Sequence, residues 1–322
     1  MAPPPALAKG LDGVHDALLD AVVAGDPDID AMASHLITAG GKRQRPAFVM
    51  ATSMLGSADA SAGPSATALL GGVSVELVHL GSLYHDDVMD EAKTRHHVES
   101  VNSRFGNLQA ILAGDYLLAK ASEIAAGIST EVAGLLAATI ARLCEGQLIE
   151  LQDAFQVGRT VPRYEKSIAG KTAALFAAAC RIGALVGGLP RDRVEAHTDF
   201  GRSYGMAFQI VDDLLDVVAT DEELGKPAGN DLVEGTYTLP VLLALDDATV
   251  GSSLRSMLGT PISLDRSLEA RQLVRSTDAV GRAAAAARVH ADAALAALGP
   301  AIETEPGAWL ADTTRALVAR VS

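Results

Sequence analysis

The pattern Asp-Asp-x-x-Asp occurs twice in this chain, at residues 86–90 and 212–216, and each copy ends a long apolar stretch with helical periodicity. On a helix the first and last aspartates of a copy are four residues apart, so their carboxylates share one face about 6 Å apart along the axis. Two acidic faces opposed across a cavity would repel each other unless cations lay between them. The repeat therefore predicts a helical protein with a site for Mg²⁺, which binds sparse carboxylates and keeps positions open for phosphate oxygens.

A single copy of this pattern is more often a solvated acidic face than a metal site. The presence of two copies changes this balance, since both follow apolar runs, Leu77–Leu80 and Phe208–Val211. Three carboxylates that end a buried stretch cost free energy unless a cation neutralises them. We therefore expect a metal-bridged diphosphate site inside a helical bundle.

The composition also favours helices over strands. Hydrophobic residues make up 49% of the chain, with Ala and Leu dominant, and aromatic residues only 4%. We predict an all-α protein, and 322 residues are enough to bury a substantial core. The formal charge of −14 argues against a nucleic-acid or anionic-membrane partner.

The sequence predicts a soluble, cytoplasmic protein. Its first residues, Met1–Pro5, lack the basic region and apolar run of a signal peptide, and the longest apolar runs elsewhere carry charges or glycine. We therefore expect no integral membrane segment, and a short flexible N-terminal segment at about residues 1–6. Cys144 and Cys180 lie on apolar helical stretches without metal-ligand spacing and are predicted to be buried packing residues.

Helical periodicity alternates with short loops along the whole chain. It predicts helices at about 6–24, 27–35, 46–54, 66–90, 107–127, 130–154, 161–187, 191–218, 238–258, 261–298 and 307–320. A polar loop is expected at 91–103. The polar, Gly-containing segment 219–236 directly follows the second aspartate set, where a flexible flap over bound substrate would belong.

Basic residues suited to an anionic ligand are dispersed in the sequence, each beside a turn or a helix start. They are Lys42, Arg45, Arg95, Lys171 and Lys226. Any one of them alone is more often a solvent-exposed cation, but an acidic protein that handles diphosphates needs such a set. His79, three residues after Glu76, is predicted to be a hydrogen-bonding core residue or a phosphate contact.

Seven motifs occur in order between about residues 38 and 245. They are Gly41–Pro46, His79 with His85–Asp90, Gly114–Tyr116, Lys171–Ala173, Phe208–Asp216, Gly225-Lys226 and Thr238–Pro240. Together they resemble the trans-prenyl diphosphate synthase family (polyprenyl synthetases), of the bacterial polyprenyl or geranylgeranyl type. The resemblance implies a single all-helical domain over residues 1–322 around a deep central cavity, usually as a homodimer. It also implies the addition of isopentenyl diphosphate to an allylic diphosphate.

The resemblance further implies roles for individual residues. Mg²⁺, as three ions when substrate is bound, would be held by Asp86, Asp90 and Asp212, with Asp216 acting through water, and would make the allylic diphosphate a leaving group. Arg95, Lys171 and Lys226 would neutralise the charge that develops on that diphosphate.

The same resemblance assigns the second substrate and the cation. Lys42, Arg45 and His79 would hold the diphosphate of isopentenyl diphosphate, while Thr172, Phe208 and Gln209 would shape the surroundings of the allylic cation. The departing diphosphate would take the proton, so that no dedicated protein base is needed.

The sequence departs from the family pattern at two positions. His96 stands where the family has the second Arg of an Arg-Arg-Gly motif, and Thr236 stands where it has a Lys. Weaker binding of isopentenyl diphosphate is expected from the first change, because a His near pH 7 is often neutral and lacks the guanidinium fork.

Product length is approached from the residues four and five before Asp86. Ser82 and Gly81 are small, so the pocket is predicted to be open for geranylgeranyl or longer products. The alternative is a floor supplied by a neighbouring helix through Tyr116 or Leu112.

Two rival functions use the same residues differently. A terpene cyclase or atypical coupling enzyme would need the metal clamp but not the segment with Lys42 and Arg45. A weakly catalytic subunit of a heteromeric prenyl synthase would fit the changes at His96 and Thr236, although such a subunit would not need six correctly spaced carboxylates.

Overall fold

The computed structural model describes residues 2–57, 63–95, 98–220, 222 and 228–321. Within these residues the secondary structure is helical apart from one antiparallel hairpin, which pairs β1 (Thr94–Arg95) with β2 (Val98–Glu99). The prediction of an all-α protein is confirmed. The polar loop expected at 91–103 contains this hairpin and the start of a short helix.

The helices of the first half follow one another with short connections. They are α1 Pro5–Asp12, α2 Val14–Ala21, α3 Pro27–Thr38, α4 Gln44–Met54, α5 Ala66–Met89, α6 Val101–Phe105, α7 Asn107–Ile128 and α8 Thr130–Asp153. Those of the second half are α9 Val161–Ile168, α10 Ala174–Val186, α11 Arg191–Val218, α12 Asn230–Glu234, α13 Leu239–Leu245, α14 Gly251–Met257, α15 Leu264–Arg275, α16 Ala279–Leu298 and α17 Glu305–Val318. A π-helical turn, Ala169–Ala173, joins α9 to α10, and 3₁₀ turns follow α16 and α17.

Three of the predicted long helices are interrupted. The one expected at 238–258 is divided between Leu245 and Gly251 into α13 and α14. The helix expected at 6–24 is divided at Gly13. Glycine loses more backbone entropy than any other residue type when it enters a helix, so it favours a break there. The stretch expected at 261–298 breaks after Arg275, where the hydroxyls of Ser276 and Thr277 donate to the carbonyls of Leu273 and Val274. Such local bonds compete with continuation of the helix.

The chain divides into two compact units. The first comprises Met1–Ile140, Leu175–Thr198 and Leu298–Leu310; the second comprises Ala141–Ala174, Asp199–Ala297 and Ala311–Ser322. The prediction of a single domain stays a prediction.

The first unit is built around α5. Ser65 caps this helix by accepting a hydrogen bond from the N–H of Ala68 at 3.1 Å, and the helix is buried along most of its length against α4 and α7. Phe48 on α4 makes edge contacts with Phe176 and Trp309 at ring distances of 5.5 and 6.0 Å. These contacts pack α4, which lies against α5, on α10 and α17.

The second unit is built around the C-terminal part of α11. Its apolar face carries buried residues such as Ile210, Val211 and Leu214. The guanidinium groups of Arg271 and Arg275 on α15 both donate to the carbonyl of Val217, at 3.0 and 2.8 Å from their Nε atoms. Cationic donors at the carbonyl end of a helix satisfy its last acceptors and fix where it ends.

Three helical stretches of the described chain are long and apolar enough to cross a membrane, judged by length and composition alone. They are Ala66–Met89, Thr130–Asp153 and the continuous stretch Val161–Val186. The apolar windows of the first and third are mainly buried inside the protein, 61% and 72%, whereas that of α8 is 28% buried. The expected absence of a membrane segment therefore stays a prediction.

The two cysteines differ from expectation in one respect. Both are free, and Cys180 is buried as predicted, but Cys144 is exposed. Cys144 lies on α8, whose apolar residues are largely not covered by the rest of the chain, so its apolar neighbours in sequence do not make it a core residue.

Candidate functional site

The first aspartate set lies at the C-terminal end of α5, in the first unit. Asp86 is half-buried, Asp87 is fully buried, and Asp90, the C-cap residue, is exposed. The carbonyl end of a helix carries partial negative charge, so carboxylates there are destabilised unless a cation is nearby. The position of the set therefore fits a cation-binding role for Asp86 and Asp90.

Asp87 has a separate function within the protein. Its Oδ1 accepts a hydrogen bond from Nε of Arg95 at 2.7 Å and forms an ion pair with Nη2 at 2.6 Å, which ties β1 to the end of α5. The Asp87 side chain is 0% exposed and that of Arg95 is 29% exposed. Arg95, predicted to contact a diphosphate, is thus placed as the charge partner of a buried carboxylate.

Two glycines allow α5 and α7 to approach closely beside the aspartates. A Cβ on Gly114 would lie 2.4 Å from Nε2 of His85, and a Cβ on Gly81 would lie 3.0 Å from the carbonyl oxygen of Gly114. Gly81 therefore faces α7, and its small size reflects helix packing and not an open product pocket. Ser82 is half-buried and donates to the carbonyl of His79 at 2.8 Å.

The alternative floor residues on α7 are placed as follows. Leu112 is 68% exposed, and the hydroxyl of Tyr116 donates to the carbonyl of Val22 at 3.2 Å. Neither arrangement by itself sets the length of a product.

The start of α4 depends on a strained residue. Arg43 has φ +46°, in the left-handed region, and its guanidinium donates to Glu76 Oε1 and to the Ile37 carbonyl, both at 2.8 Å. Glu76 is buried, so this ion pair offsets the backbone strain, which costs roughly 1–3 kcal/mol. The turn leaves Lys42 exposed just before the helix and puts Arg45 in its first turn.

Arg45 and His79 both lie in this first unit. The guanidinium carbon of Arg45 stands 4.7 Å from the ring centre of Phe176, which orients the side chain, and His79 is half-buried on α5. Together with the N–H groups at the start of α4, Lys42 and Arg45 form a local positive region suited to a phosphate group.

The second aspartate set lies in the last turns of α11, in the second unit. Asp212 is exposed, whereas Asp213 and Asp216 are each 4% exposed. Asp216 is tied to the segment that begins α12: its Oδ2 accepts from the N–H of Asp231 at 3.3 Å, and its carbonyl accepts from the N–H of Gly229 at 3.0 Å. As in the first set, the carboxylates stand at the negative end of a helix.

The middle aspartate of this set is also held by the protein. Asp213 Oδ2 accepts from the hydroxyl of Tyr164 at 2.5 Å, and its Oδ1 accepts from the amide nitrogen of Gln209 at 2.8 Å. Burial raises the pKa of Asp213 to about 7, hydrogen bonds from Tyr164 and Gln209 oppose that shift, and the charge of Asp212 adds to it. Burial also raises the pKa of Tyr164 well above its usual value, so its hydroxyl keeps the proton that it donates.

Lys171 and Thr172 lie in the π-helical turn Ala169–Ala173. Nζ of Lys171 is 2.5 Å from Oε1 of Glu150 on α8, and Oγ1 of Thr172 donates to Oε1 of Gln209 at 2.6 Å. The π turn packs directly on α8, because a Cβ on Gly170 would lie 2.6 Å from the Arg142 carbonyl oxygen. Single π turns inside α-helices are frequent at functional sites.

Three positions named from the sequence lie outside the described residues: Gly225, Lys226 and His96. Most of the predicted flap, Asp221 and Glu223–Pro227, is also outside them. The described remainder includes Thr236, which is half-buried and whose N–H donates to the carbonyl of Asp231 at 2.8 Å.

The donor set of both aspartate clusters is all oxygen, which fits Mg²⁺. Among the described residues no three His, Cys, Asp or Glu side chains converge closely enough to hold a metal ion by themselves. Mg²⁺ usually keeps several waters and is bound by one or two carboxylates plus substrate phosphates, so it does not need such a cage. The residues present therefore fit an ion that arrives with a diphosphate.

Sequence reasoning missed Tyr164 and Glu150, which hold Asp213 and Lys171. Tyr164 is 49 residues from Asp213 in the chain, and no spacing rule links them. Glu150 gave a weak sequence signal, because an acidic residue near the end of a long apolar helix needs a charge partner, and the basic residue Lys171 follows in the next helical stretch.

Comparison with known proteins gives a consistent result. The sequence pattern of the polyprenyl synthetase family matches residues 26–271. A heptaprenyl diphosphate synthase component 2 from Geobacillus stearothermophilus is 36% identical over 290 residues, which cover 90% of this chain and 89% of that protein. A nonaprenyl diphosphate synthase from Mycobacterium tuberculosis is 39% identical over 252 residues, which cover 77% and 74%.

Similarity extends to solved structures. The crystal structure of a polyprenyl synthase from Caulobacter crescentus, complexed with calcium and isoprenyl diphosphate, has a TM-score of 0.90 and 32% sequence identity. It matches 98% of this chain and 96% of that chain.

Proposed function

Because this chain belongs to the polyprenyl synthetase family and is a trans-prenyl diphosphate synthase, we propose that it uses Mg²⁺ to condense isopentenyl diphosphate with an allylic diphosphate. The product is an all-trans polyprenyl diphosphate of geranylgeranyl length or longer. The observation that carries the proposal is the position of both aspartate sets. In each set the middle aspartate is held by protein donors, and the first lies in the last turns of a helix, where the carbonyl end carries partial negative charge that favours a cation.

The metal ligands in this proposal are Asp86, Asp90, Asp212 and Asp216. When bound, Mg²⁺ supplies the positive charge that makes the allylic diphosphate a leaving group. The relative crystallised with calcium and isoprenyl diphosphate supports a divalent cation that binds together with such a ligand. Since Asp216 is buried and already accepts a backbone N–H, its part is weaker than that of exposed Asp212.

The cationic side chains bind and orient the two diphosphates. Lys171 and Lys226 bind the allylic diphosphate in this proposal, and Lys42, Arg45 and His79 bind the diphosphate of isopentenyl diphosphate. The exposure of Lys42 and the position of Arg45 in the first turn of α4 support the second assignment. The pairing of Lys171 with Glu150 limits the directions in which its ammonium group points.

Arg95 has a second duty here. Its guanidinium is 29% exposed while it pairs with Asp87, so one face remains open for a diphosphate oxygen. The proposed role of Arg95 therefore combines holding the end of α5 with neutralising the leaving group.

Product length follows the relatives and not the residues before Asp86. The heptaprenyl and nonaprenyl names of two relatives support a long product. Gly81 cannot serve as evidence for an open pocket, since it faces α7.

We include homodimer formation in the proposal. Several large apolar side chains are exposed on α7, with Leu108 at 76% and Leu112 at 68%, and on α8, with Leu148 at 57%. Uncovered apolar surface on long helices is typical of an interface with another subunit.

One relative is a component 2 of its enzyme, and this name favours a second candidate, a subunit that needs another chain for full activity. The two proposals differ in what purified protein does alone. A homodimeric synthase elongates primers without an added partner, whereas a dependent subunit does not.

The decisive experiment incubates purified protein with Mg²⁺, labelled isopentenyl diphosphate and each short allylic diphosphate, and sizes the products. Elongation to twenty or more carbons is expected. No incorporation with any primer would overturn the synthase proposal in favour of a dependent subunit or a cyclase; a cyclase would convert an allylic diphosphate without isopentenyl diphosphate. Cytoplasmic location is part of the proposal, and cell fractionation tests it.

A further inference from the structure

A chain of hydrogen bonds in the second unit connects a fully buried tyrosine to the π turn. The Tyr164 hydroxyl donates to Asp213 at 2.5 Å, the Gln209 amide nitrogen donates to the other oxygen of Asp213 at 2.8 Å, and Thr172 donates to the Gln209 amide oxygen at 2.6 Å. Tyr164, Asp213 and Thr172 are 1%, 4% and 6% exposed. Gln209 is half-buried. Water therefore has little access to the bond between Tyr164 and Asp213.

Asp213 sets the direction in which these hydrogen bonds are donated. A glutamine side chain has one donor end and one acceptor end, and the acceptor oxygens of Asp213 face its nitrogen. The amide oxygen of Gln209 is thereby turned toward Thr172, whose hydroxyl has a single proton and gives it to that oxygen. The lone pairs of Thr172 Oγ1 that remain point away from Gln209.

Tyr164 holds Asp213 in place because its own position is fixed. The guanidinium of Arg159 lies over its ring at 5.4 Å. Arg159 in turn donates to the carbonyl of Tyr237 at 3.0 Å and lies 3.3 Å from Asp153. Without the Tyr164 hydroxyl, the buried Asp213 would lose a donor and could rotate about its side-chain bonds to find another.

We propose that Tyr164 is a positioning residue for catalysis: through Asp213 it fixes the orientation of the Gln209 amide, and so turns the oxygen lone pairs of Thr172 toward the reacting carbon. The inference rests on the proposed function, which places Thr172 beside the allylic cation. In the opposite orientation the Gln209 amide would donate to Thr172, and the threonine proton would point outward. A positive hydrogen would then face a developing positive charge in place of an electron-rich oxygen.

The variant Tyr164→Phe removes only the hydroxyl. We expect kcat to fall by roughly tenfold while KM for both diphosphates stays within about twofold, since the diphosphates are bound elsewhere. The dependence of activity on Mg²⁺ concentration should not change, because Tyr164 reaches no metal ligand directly.

A matched control is Tyr237→Phe. Tyr237 is also fully buried in the second unit, and its hydroxyl accepts the N–H of Gly259 at 2.6 Å, so its loss removes a comparable buried bond outside the chain. If the two substitutions affect only stability, both variants should show a similar fall in melting temperature and a similar kcat. Equal kcat values for Tyr164→Phe and Tyr237→Phe would overturn the inference.

A second variant keeps the test decisive if Tyr164→Phe does not fold. Asp213→Asn should give the same loss of kcat, with KM and Mg²⁺ dependence unchanged. The double variant, Tyr164→Phe with Asp213→Asn, should keep at least about half the kcat of the slower single variant, because both residues act through the same hydrogen bonds. Multiplying losses, or a large shift in Mg²⁺ dependence for Asp213→Asn, would overturn the inference. Wild-type protein that elongates no primer would instead refute the proposed function.

Discussion

The ion pair between Asp87 and Arg95 predicts that variants of Arg95 lose stability before any effect on chemistry is considered. Asp87 is 0% exposed, and Arg95 contacts one of its oxygens through a hydrogen bond from Nε and an ion pair with Nη2. Arg95→Met keeps the apolar stem of the side chain but leaves the carboxylate without the guanidinium. Removing one partner of a buried pair typically costs 3–5 kcal/mol, and the partial exposure of Arg95 puts the expected loss at the lower end, about 3 kcal/mol.

The double variant Asp87→Asn with Arg95→Met removes both charges. It should cost only about 1 kcal/mol, because no charge is then left buried and unpaired. Asp87→Asn alone should also cost more than the double variant. The two single losses together then exceed the loss of the double variant by more than about 3 kcal/mol, which is the expected coupling energy of the pair.

Urea unfolding followed by circular dichroism at 222 nm, without Mg²⁺ or substrate, measures these free energies. A loss below about 0.5 kcal/mol for Arg95→Met, or strictly additive losses, would refute the reasoning, since either result means that the pair contributes nothing. Prenyltransfer assays on the folded variant then separate an effect on catalysis from the loss of stability. Fully folded Arg95→Met with a large fall in kcat would show the direct diphosphate contact that the proposed function assigns to Arg95.

Other predictions concern pH, packing and metal. Burial, together with the charge of Arg193, lowers the pKa of His197 from 6.5 to about 4, so stability is lost as the pH falls from 6.5 toward 4. Lowering the pH from 7 to 5 should therefore reduce the free energy of unfolding by about 2 kcal/mol. Urea unfolding of the wild type and of His197→Met at pH 7 and pH 5 tests this prediction, because the variant should lack the loss. Gly114→Ala should lower stability by about 2 kcal/mol, since its Cβ would lie 2.4 Å from a ring nitrogen of His85. Thermal melts should show the opposite for Gly127→Ala, where no described atom lies within 4 Å and helix propensity gains about 1 kcal/mol. Asp212→Ala should reduce kcat by at least about a hundredfold and raise the Mg²⁺ requirement without lowering the melting temperature, and wild-type activity would show that Asp212 is not a ligand.

The two helices that carry the aspartates could be predicted almost to the residue. Predicted ranges of 66–90 and 191–218 compare with Ala66–Met89 and Arg191–Val218 in the structure. Both are long and strongly periodic, and α5 begins at a serine cap, so local sequence determines them.

The partners of the site residues could not be predicted in the same way. Arg95 meets Asp87 only because a two-stranded hairpin turns the chain back, and Tyr164 meets Asp213 only because α9 packs beside α11. The left-handed conformation of Arg43 depends on a buried glutamate 33 residues away. These features follow from tertiary contacts, which periodicity and spacing do not encode.

The π turn at Ala169–Ala173 has a practical consequence for redesign of this enzyme. It accommodates one more residue than an α-helical turn, so deleting a single residue there would let the turn close as a regular α-helix and would change the directions of the side chains within it. Lys171 and Thr172 would then point to different neighbours although the composition of the segment had barely changed. Chimeras that exchange helices with related synthases should therefore keep the residue count between Ile168 and Ala174, and cut the chain elsewhere.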